Sequence, residues 1–329
     1  METLIKSGEQ AIKLGADLIK AGEIVAFPTE TVYGLGGNAL DAACVQKIYA
    51  AKGRPADNPL IVHIAKIEDI YPLVSEFSER NKRVVEQFMP GPITLLFPKS
   101  DIVPDSVTAG LKTVGIRMPK LEIAREFIES SGVPIAAPSA NASTRVSPTT
   151  AKHVYEDMKG RIPLIIDGGD SEVGIESTVL DLTGEIPTIL RPGAITAEML
   201  ADVVGSVRTH KGEVISSAPA PGMKYKHYAP TCPMVVAKDM DSLIAEYDIQ
   251  SQKGLNVLAL IRGQAVQAMA GRKYVNLGSN DSEVCRNIYK AMRDGEKVCD
   301  YIICIDLGEN GLCKSVMNRV MKASGGKVV

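Results

Sequence analysis

The chain has 329 residues, with 37 basic and 39 acidic side chains that give a formal net charge of −2. Its length predicts two domains or one large one, and a hydrophobic fraction of 45% is enough for a packed core, which excludes general disorder. A net charge near zero does not favour global attraction to nucleic acid. The lack of Trp and the 5% aromatic content argue against a surface that stacks single-stranded bases.

The cysteines and the hydropathy pattern indicate the compartment. No two cysteines have C-x-x-C spacing, and no His lies near enough in sequence to suggest a zinc site. The N-terminal residues lack the basic and apolar regions of a signal peptide, and no apolar run approaches the roughly 18 residues of a membrane span. We therefore expect a cytoplasmic protein with reduced thiols and no membrane association.

Strand and helix patterns alternate along the first two thirds of the chain, which is typical of an α/β sheet buried on both faces. The many strands and few helices toward its end indicate a mixed sheet. Helices are predicted from Asp41 to Gly53, within Ser78–Phe88 and from Leu121 to Glu129. Strands are predicted at Ile24–Phe27, Leu60–Ile64, Thr94–Phe97, Thr113–Arg117, Pro134–Ala137, Leu164–Ile166, Thr178–Leu180 and Thr188–Leu190.

A segment rich in Ser, Pro and Ala at Ser216–Gly222 is typical of a linker. Beyond it a clearer β-α alternation predicts a small parallel sheet. We expect a first domain over residues 1–208, a linker over 209–231 and a second domain over 232–329. The predicted strands of the second domain are Pro233–Ala237, Asn256–Ile261, Tyr274–Leu277 and Tyr301–Ile305, and its helices are Met240–Tyr247, Ser282–Arg293 and Leu312–Ala323.

Polar residues and glycines follow the first predicted strand. Thr29, Glu30 and Thr31 come just after it, and Gly34–Ala39 formally fits the G-x-G-x-x-A fingerprint of dinucleotide-binding proteins. In those proteins the glycines follow the strand directly and open a helix, whereas here six residues separate Phe27 from Gly34. We therefore interpret the glycines as turn formers rather than as a nicotinamide site.

Two cations, Lys52 and Arg54, flank a glycine at the predicted end of a helix, and the Pro-bounded turn Pro55–Pro59 follows them. One interpretation is that they only stabilise the negative end of the helix. The alternative is a phosphate clamp, in which the guanidinium binds two oxygens and the ammonium acts as a point charge. The sequence contains no P-loop motif, so a nucleotide would have to be held in another way.

Small polar residues follow the strand predicted at Pro134–Ala137. Ser139, Asn141 and Ser143 could hold a phosphate or an adenine edge together with backbone N–H groups, or they could only cap a turn. No G-x-S-x-G motif surrounds Ser139, so a serine hydrolase is not indicated.

Four more polar residues interrupt apolar patterns. His63 lies inside a predicted strand, where a core histidine is the common alternative to a ligand. Arg117 stands at a strand end and needs an anion, for which a substrate carboxylate is suitable. Ser177 precedes a strand and Arg191 follows one.

The end of the predicted linker is basic and aromatic. The ten residues Pro221–Pro230 contain two Lys, two Tyr and one His, which a neutral spacer would not need. A loop that folds over an anionic ligand would need them.

These motifs together resemble the L-threonylcarbamoyladenylate synthase family, in its long form with a YrdC-like catalytic domain and an additional C-terminal domain. The family signature K-x-R…S-x-N occurs as Lys52, Arg54, Ser139 and Asn141. The other matching stretches are Pro28–Gly36, Asn58–Leu60 and Lys224–Pro230. The resemblance implies a YrdC-like twisted mixed sheet with flanking helices, followed by a smaller Rossmann-like parallel α/β domain.

The resemblance also implies a reaction and its residues. Such an enzyme, a nucleotidyltransferase, joins L-threonine, bicarbonate and ATP into L-threonylcarbamoyladenylate and releases pyrophosphate, in the first step of a tRNA modification that a partner transferase completes. Lys52 and Arg54 would be catalytic. The expected ATP-binding residues are Lys52, Arg54, Asn58, Thr113, Ser139, Asn141, Ser147, Arg191, Tyr225 and Tyr228, and the expected L-threonine-binding residues are Thr31, His63, Arg117 and Ser177.

We expect Mg²⁺ to accompany ATP and to bridge its phosphates, and the linker with Tyr225 and Tyr228 to act as a lid. The main alternative is a non-catalytic double-stranded RNA-binding protein, because related YrdC-like domains have a concave basic surface. This resemblance also leaves direct RNA contact open. A second alternative is a carbamoyl transferase of the hydrogenase-maturation type, but the acylphosphatase and zinc-finger modules of those proteins have no counterpart in this sequence.

Overall fold

Two separate sheets organise the described part of the chain. The structure is a computed structural model that describes residues 1–210 and 228–329. The linker segment Ser216–Gly222 and the predicted site residue Tyr225 lie outside the described residues. Two units share the chain: the first comprises residues 1–143, 148–172 and 176–210, and the second comprises residues 144–147, 173–175 and 228–329.

The first unit is built on a mixed sheet of eleven strands among the residues described. Its strands are β1 (Leu4–Lys6), β2 (Val25–Phe27), β3 (Gly34–Asn38), β4 (Ile61–His63), β5 (Ile93–Pro98), β6 (Thr113–Arg117), β7 (Ile135–Ala137), β8 (Leu164–Ile166), β9 (Thr178–Asp181), β10 (Thr188–Arg191) and β11 (Arg208–Thr209). Its helices are α1 (Gly8–Lys20), α2 (Ala42–Lys52), α3 (Glu79–Phe88), α4 (Asp105–Thr108), α5 (Glu122–Ser131), α6 (Ala151–Met158) and α7 (Ala197–Val204), with a 3₁₀ segment at Ile67–Leu73.

The order of the strands is β1-β8-β2-β3-β7-β4-β6-β5-β9-β10-β11. The sheet is mixed because β4 runs parallel to β6 but antiparallel to β7, and β5 runs antiparallel to β6 but parallel to β9. The prediction of a mixed sheet with flanking helices is confirmed.

Local signals explain most of the predicted elements. The Asp41 carboxylate accepts a hydrogen bond from the Ala43 amide at the start of α2, and Gly53 ends this helix with a φ of 65°. Ser78 caps α3 by accepting a hydrogen bond from the Asn81 amide. The sequence patterns did not reveal α1, although its buried residues Ala11, Ile12, Ala16 and Ile19 recur at helical spacing.

The glycines after Phe27 form the strand β3, so their interpretation as turn formers is wrong. A Cβ at Gly36 would lie 2.6 Å from Ile135 Cγ2 and 2.9 Å from Phe27 Cε1. The Phe27 ring therefore lies against the glycines of β3 and contacts His63 edge-on, with 5.7 Å between ring centroids. The glycines allow neighbouring side chains to pack closely against β3. The G-x-G-x-x-A fingerprint of dinucleotide-binding proteins does not take such packing into account.

The second unit contains a four-stranded parallel sheet in the order β12-β15-β13-β14, which confirms the predicted parallel α/β architecture. Its strands are β12 (Met234–Ala237), β13 (Val257–Ile261), β14 (Tyr274–Asn276) and β15 (Tyr301–Ile305). Its helices are α8 (Met240–Gln252), α9 (Asp281–Gly295) and α10 (Gly311–Ala323), with a 3₁₀ segment at Gly263–Met269.

Two short stretches from the first two thirds of the chain belong to this second unit. The Arg293 guanidinium on α9 donates a hydrogen bond of 3.0 Å to the Val146 carbonyl, and Arg145 forms an ion pair with Glu296. A Cβ at Gly174 would overlap the Cys285 carbonyl oxygen, at 2.4 Å. The predicted boundaries at residues 208 and 231 stay a prediction. No helix of the described residues is long and apolar enough to cross a membrane.

We predict that Gly36→Ala destabilises the protein by about 1–3 kcal/mol, because the added methyl group overlaps Ile135 and Phe27 in a packed core. Urea unfolding followed by circular dichroism measures the change. The matched control is Gly184→Ala, whose Cβ would make only an ordinary contact of 3.7 Å with the Ile186 carbonyl oxygen. Equal stability of the two variants would contradict the close-packing role of Gly36.

Candidate active site

Most of the predicted site residues of the first unit fall into two clusters at opposite ends of β4, and Glu30, which was not predicted, lies in the second of them. The Lys52 cluster comprises Lys52, Arg54, Asn58, Ser139 and Asn141. The Arg117 cluster comprises Glu30, Thr31, His63, Arg117 and Ser177.

Strand register sets the distance between the two clusters. In the register of β4 with β7, Ile61 pairs with Ala137 and His63 with Ile135, so Ser139 continues past β7 beside Pro59. His63 pairs with Arg117 across the parallel strands β4 and β6. Because Pro59 and His63 are four residues apart, the backbones of the two ends are separated by about 13 Å along the strand.

The ammonium group of Lys52 organises its cluster. It donates hydrogen bonds to the Ser139 carbonyl at 2.7 Å, the Asn141 carbonyl at 2.6 Å and Asn141 Oδ1 at 3.0 Å. Because an ammonium group has three protons, these bonds use its full donor capacity. The Lys52 carbonyl also accepts from the Ser143 amide at 2.9 Å. Lys52 therefore joins the end of α2 to the loop that carries Ser139 and Asn141.

Burial and the neighbouring positive charge of Arg54 lower the pKa of Lys52 well below its usual value, although Asp157 and Glu176 partly oppose this change. The cluster thus brings two cationic side chains into the interior of the first unit. An anion placed beside them would gain a strong electrostatic interaction, since the surroundings exclude water.

The Arg54 guanidinium and the Asn58 amide form the remainder of this cluster. Arg54 Nε donates to the Asn58 carbonyl at 3.3 Å, and Arg54 Nη2 donates to the Pro59 carbonyl at 3.1 Å. The side-chain amide of Asn58 is buried, and neither its nitrogen nor its oxygen has a hydrogen-bond partner in the described chain. Because buried amides are nearly always hydrogen-bonded, Asn58 is suited to a ligand with both a donor and an acceptor within its reach.

An ion pair forms the centre of the Arg117 cluster. Arg117 Nη2 lies 2.8 Å from Glu30 Oε1, and both side chains are at most 5% exposed. Arg117 Nη2 also lies 3.4 Å from the Thr29 hydroxyl. Arg117 Nε and Glu30 Oε2 are buried without a hydrogen-bond partner among the described residues. The pair therefore keeps one unused donor and one unused acceptor.

His63 is neutral in this cluster. Burial, and then the positive charge of Arg117, lower the pKa of His63 to about 3. Its Nδ1 lies 3.1 Å from the Ile61 carbonyl. His63 therefore contributes a neutral ring and no positive charge near pH 7.

Hydroxyl groups surround the ion pair. The Thr31 hydroxyl lies 2.9 Å from the Thr29 hydroxyl, and the Ser177 hydroxyl lies 2.8 Å from the Thr94 hydroxyl. Arg191 donates to the Ser177 hydroxyl and to the Ser177 carbonyl, both at 3.1 Å. Arg191 thus contacts a residue of the predicted threonine set, whereas the sequence placed it on the nucleotide side.

The other predicted ATP-binding residues lie in different places. Thr113 begins β6 beside Pro59, at the Lys52 end of the sheet. Ser147 is buried and belongs to the second unit. Tyr228, also of the second unit, stacks on Tyr289 with 5.7 Å between ring centroids and has a φ of 68°. Tyr225 lies outside the described residues, and the lid role of the linker stays a prediction.

The candidate residues inferred from sequence omitted Thr29, Glu30 and Thr94. Thr29 and Glu30 are part of the polar cluster after Phe27 and could have been included on that signal. Thr94 is a buried hydroxyl within the apolar strand β5, and nothing in its pattern distinguishes it from an ordinary strand threonine.

The His, Cys, Asp and Glu side chains of the protein determine whether it could hold a metal ion by itself. Within residues 1–210 and 228–329, no group of three or more His, Cys, Asp or Glu side chains could hold a metal ion. A magnesium ion that arrives with a nucleotide does not require such a cage, because it binds chiefly to phosphate oxygens and water.

Comparison with known proteins identifies the family. Residues 17–193 match the family described as "Telomere recombination", and residues 195–325 match "Threonylcarbamoyl-AMP synthase, C-terminal domain". The threonylcarbamoyl-AMP synthase of Pyrococcus abyssi is 44% identical, with 98% of this chain and 96% of the relative covered. That of Bacillus subtilis is 42% identical, with 99% and 96% covered.

A solved structure supports the same assignment. P. abyssi Sua5 complexed with L-threonine matches with a TM-score of 0.92 and 42% identity, over 100% of this chain and 99% of that one. These matches confirm the fold and the resemblance predicted from the motifs. The chain belongs to the threonylcarbamoyl-AMP synthase family and is an enzyme of the nucleotidyltransferase type.

Proposed function

We propose that this enzyme joins L-threonine, bicarbonate and ATP into L-threonylcarbamoyladenylate and releases pyrophosphate. The observation that carries the proposal is the pair of buried clusters at the two ends of β4. One cluster contains two cations and an amide whose nitrogen and oxygen bind no other described residue. The other contains an ion pair with one donor and one acceptor that no residue in 1–210 or 228–329 binds. The first is suited to a polyphosphate and the second to a zwitterion.

L-Threonine is complementary to the Arg117 cluster. Its carboxylate would bind the Arg117 guanidinium, and its amino group would face Glu30 Oε2, so that each charge of the amino acid meets the opposite charge. Its hydroxyl would bind among the Thr31 and Ser177 hydroxyls, against the neutral ring of His63. The similarity of this chain to P. abyssi Sua5, which was solved in complex with L-threonine, supports this substrate.

ATP would bind at the Lys52 cluster. Arg54 would face the phosphates, while Asn58, Ser139 and Asn141 would orient them, and Thr113 lies at the same end of the sheet. Lys52 would have a second role beside the point charge expected from sequence. Its protons hold the loop of Ser139 and Asn141 in place, and its charge still acts on the bound phosphates.

The chemistry depends on placing two reactants in line. The threonine amine adds to the carbon of bicarbonate or of carbon dioxide and forms a carbamate, with water as the other product of the bicarbonate reaction. A carbamate oxygen then attacks the α-phosphorus of ATP, and pyrophosphate leaves. Such a substitution needs positioning and charge neutralisation rather than a protein nucleophile.

The remaining reactants and partners follow from the same proposal. Mg²⁺ would enter with ATP and neutralise phosphate charge. The product is a reactive mixed anhydride, so a transferase must take it over and deliver the threonylcarbamoyl group to tRNA.

The direct test is release of pyrophosphate by the purified protein. We expect release that requires L-threonine, bicarbonate and ATP together, and a product of the mass of threonylcarbamoyladenylate. Salt-sensitive binding of double-stranded RNA with no such release would instead favour the RNA-binding alternative.

Lys52→Ala should lower adenylate formation at least 100-fold, because it removes the three bonds that hold the Ser139 loop as well as a charge. Steady-state kinetics and mass spectrometry of the product measure the effect. Lys47→Ala is the matched control, since Lys47 lies on the same helix but is exposed and paired with Glu23. Near-normal turnover of Lys52→Ala, with the control also active, would refute the assignment.

Glu30→Gln should raise the KM for L-threonine at least tenfold and leave the KM for ATP nearly unchanged, because it removes the charge opposite Arg117 and opposite the substrate amino group. The control is Glu23→Gln, an exposed carboxylate paired with Lys47. An equal rise in both KM values would argue against separate subsites.

A further inference from the structure

The Ser139 loop, which covers residues 138–143 after β7, is bonded to a second helix besides α2. Asp157 lies in the last turn of α6 and is 6% exposed. Its Oδ2 accepts a hydrogen bond of 3.1 Å from the Ala142 amide. The loop is bonded to α2 through the Lys52 ammonium group and through the Ser143 amide, which donates to the Lys52 carbonyl. Two helices therefore hold the loop at neighbouring residues.

The ends of α2 and α6 lie close together. Nη1 of Arg161, which follows α6, donates a hydrogen bond of 3.1 Å to the Ala51 carbonyl. Ala51 directly precedes Lys52 in the last turn of α2. Asp157 therefore lies near the end of α2 from which Lys52 extends, and its bond from Ala142 joins it to the loop that Lys52 also binds.

Asp157 also brings a negative charge to a cluster with two buried cations. Lys52 and Arg54 are both buried, and their positive charges repel each other. Asp157, and then Glu176, raise the pKa of Lys52 and so favour its charged form against burial and against Arg54. Both carboxylates are buried themselves, so the solvent screens these interactions little.

The place of Asp157 on its own helix does not explain why a carboxylate is there. The carboxyl end of a helix carries a partial negative charge, which disfavours an acidic residue in the last turn. Burial adds to this cost. The neighbouring Glu156 of α6 is exposed to solvent. The bond to the Ser139 loop and the attraction to Lys52 are the interactions that offset the cost for Asp157.

We propose that Asp157 is a positioning residue of the Lys52 cluster, which anchors the Ser139 loop to α6 and balances positive charge that α2 brings to the site. It acts through Ala142 and Lys52 and does not itself bind the nucleotide. Its effect on ATP rests on the proposed function, whereas its effect on the loop and on Lys52 does not.

Removal of the Asp157 charge should act through Lys52. Without this carboxylate the pKa of Lys52 falls further, so Lys52 loses its proton at a lower pH, while Arg54 and Glu176 stay in place. A neutral amine has one proton fewer for the Ser139 loop and no charge for a phosphate. Binding of ATP should therefore weaken as the pH rises, and it should do so at a lower pH than in the unchanged protein.

The first measurement uses the full-length protein without nucleotide. Its lysines are labelled with carbon-13 at Cε, NMR spectra are recorded against pH, and the Lys52 signal is assigned by its loss in Lys52→Arg. Asp157→Asn keeps the shape of the side chain and an acceptor for the Ala142 amide, and it should lower the pKa of Lys52 by about one pH unit or more. An unchanged pKa of Lys52 would overturn the proposal.

Glu156→Gln is the matched control, because Glu156 is the exposed neighbour of Asp157 on the same helix. We expect it to leave the titration of Lys52 as it is in the unchanged protein. An equal fall of the Lys52 pKa in both variants would mean a general charge effect and would also overturn the proposal. A merely structural role of Asp157 would change stability without changing this titration.

The second measurement is the affinity for MgATP against pH, by calorimetry. Asp157→Asn should lose affinity at a pH about one unit lower than the unchanged protein. Asp157→Ala, which also removes the acceptor for Ala142, should bind MgATP about tenfold more weakly at every pH. Equal binding by all three proteins would overturn the proposal and leave the proposed function standing. Failure of the unchanged protein to bind MgATP would overturn the proposed function, while the titration of Lys52 would still decide the role of Asp157.

Discussion

The ammonium group of Lys52 lies in the interior of the first unit, with its three protons directed at oxygens of Ser139 and Asn141. Burying a charge is costly unless hydrogen bonds replace its hydration, so the loop after β7 must supply those oxygens. That requirement joins α2 to β7 and sets the place of Ser139 and Asn141. It also fixes the helix end from which Arg54 extends. The geometry of one end of the site thus follows from one buried charge.

The Arg117 cluster, at the opposite end of β4, is held together by an ion pair instead. Glu30 and Arg117 neutralise each other inside the protein, yet in the part of the chain that the structure describes each keeps one polar atom without a hydrogen-bond partner. A fully satisfied pair would be more stable and would have no use for a ligand. The incomplete pairing is consistent with a charged substrate that completes it. The net charge of −2 for the whole chain does not reveal this arrangement, because the charges that form it are few and buried.

Much of this could be predicted from sequence. Elements with strong local signals, such as the Asp41 cap and Gly53 of α2, agree with prediction. His63, Arg117 and Ser177, which interrupt apolar patterns, do lie in the Arg117 cluster. The glycines of β3 could not be interpreted correctly, because what they accommodate is the Phe27 ring from a neighbouring strand. The buried hydroxyl of Thr94 gave no local signal either, since its partner Ser177 is 83 residues away.

Because residues 144–147 and 173–175 belong to the second unit, a single cut in the chain cannot separate the two units. A chain shortened after residue 210 would keep both stretches but would lose Glu296 and Arg293, the partners of Arg145 and Val146. In such a fragment the Arg145 guanidinium would lack Glu296, and the Val146 carbonyl would lack the Arg293 guanidinium. Loss of activity in it would therefore not distinguish the missing strands and helices of the second unit from damage to the two stretches that remain. Separating the two contributions requires point substitutions within an intact chain.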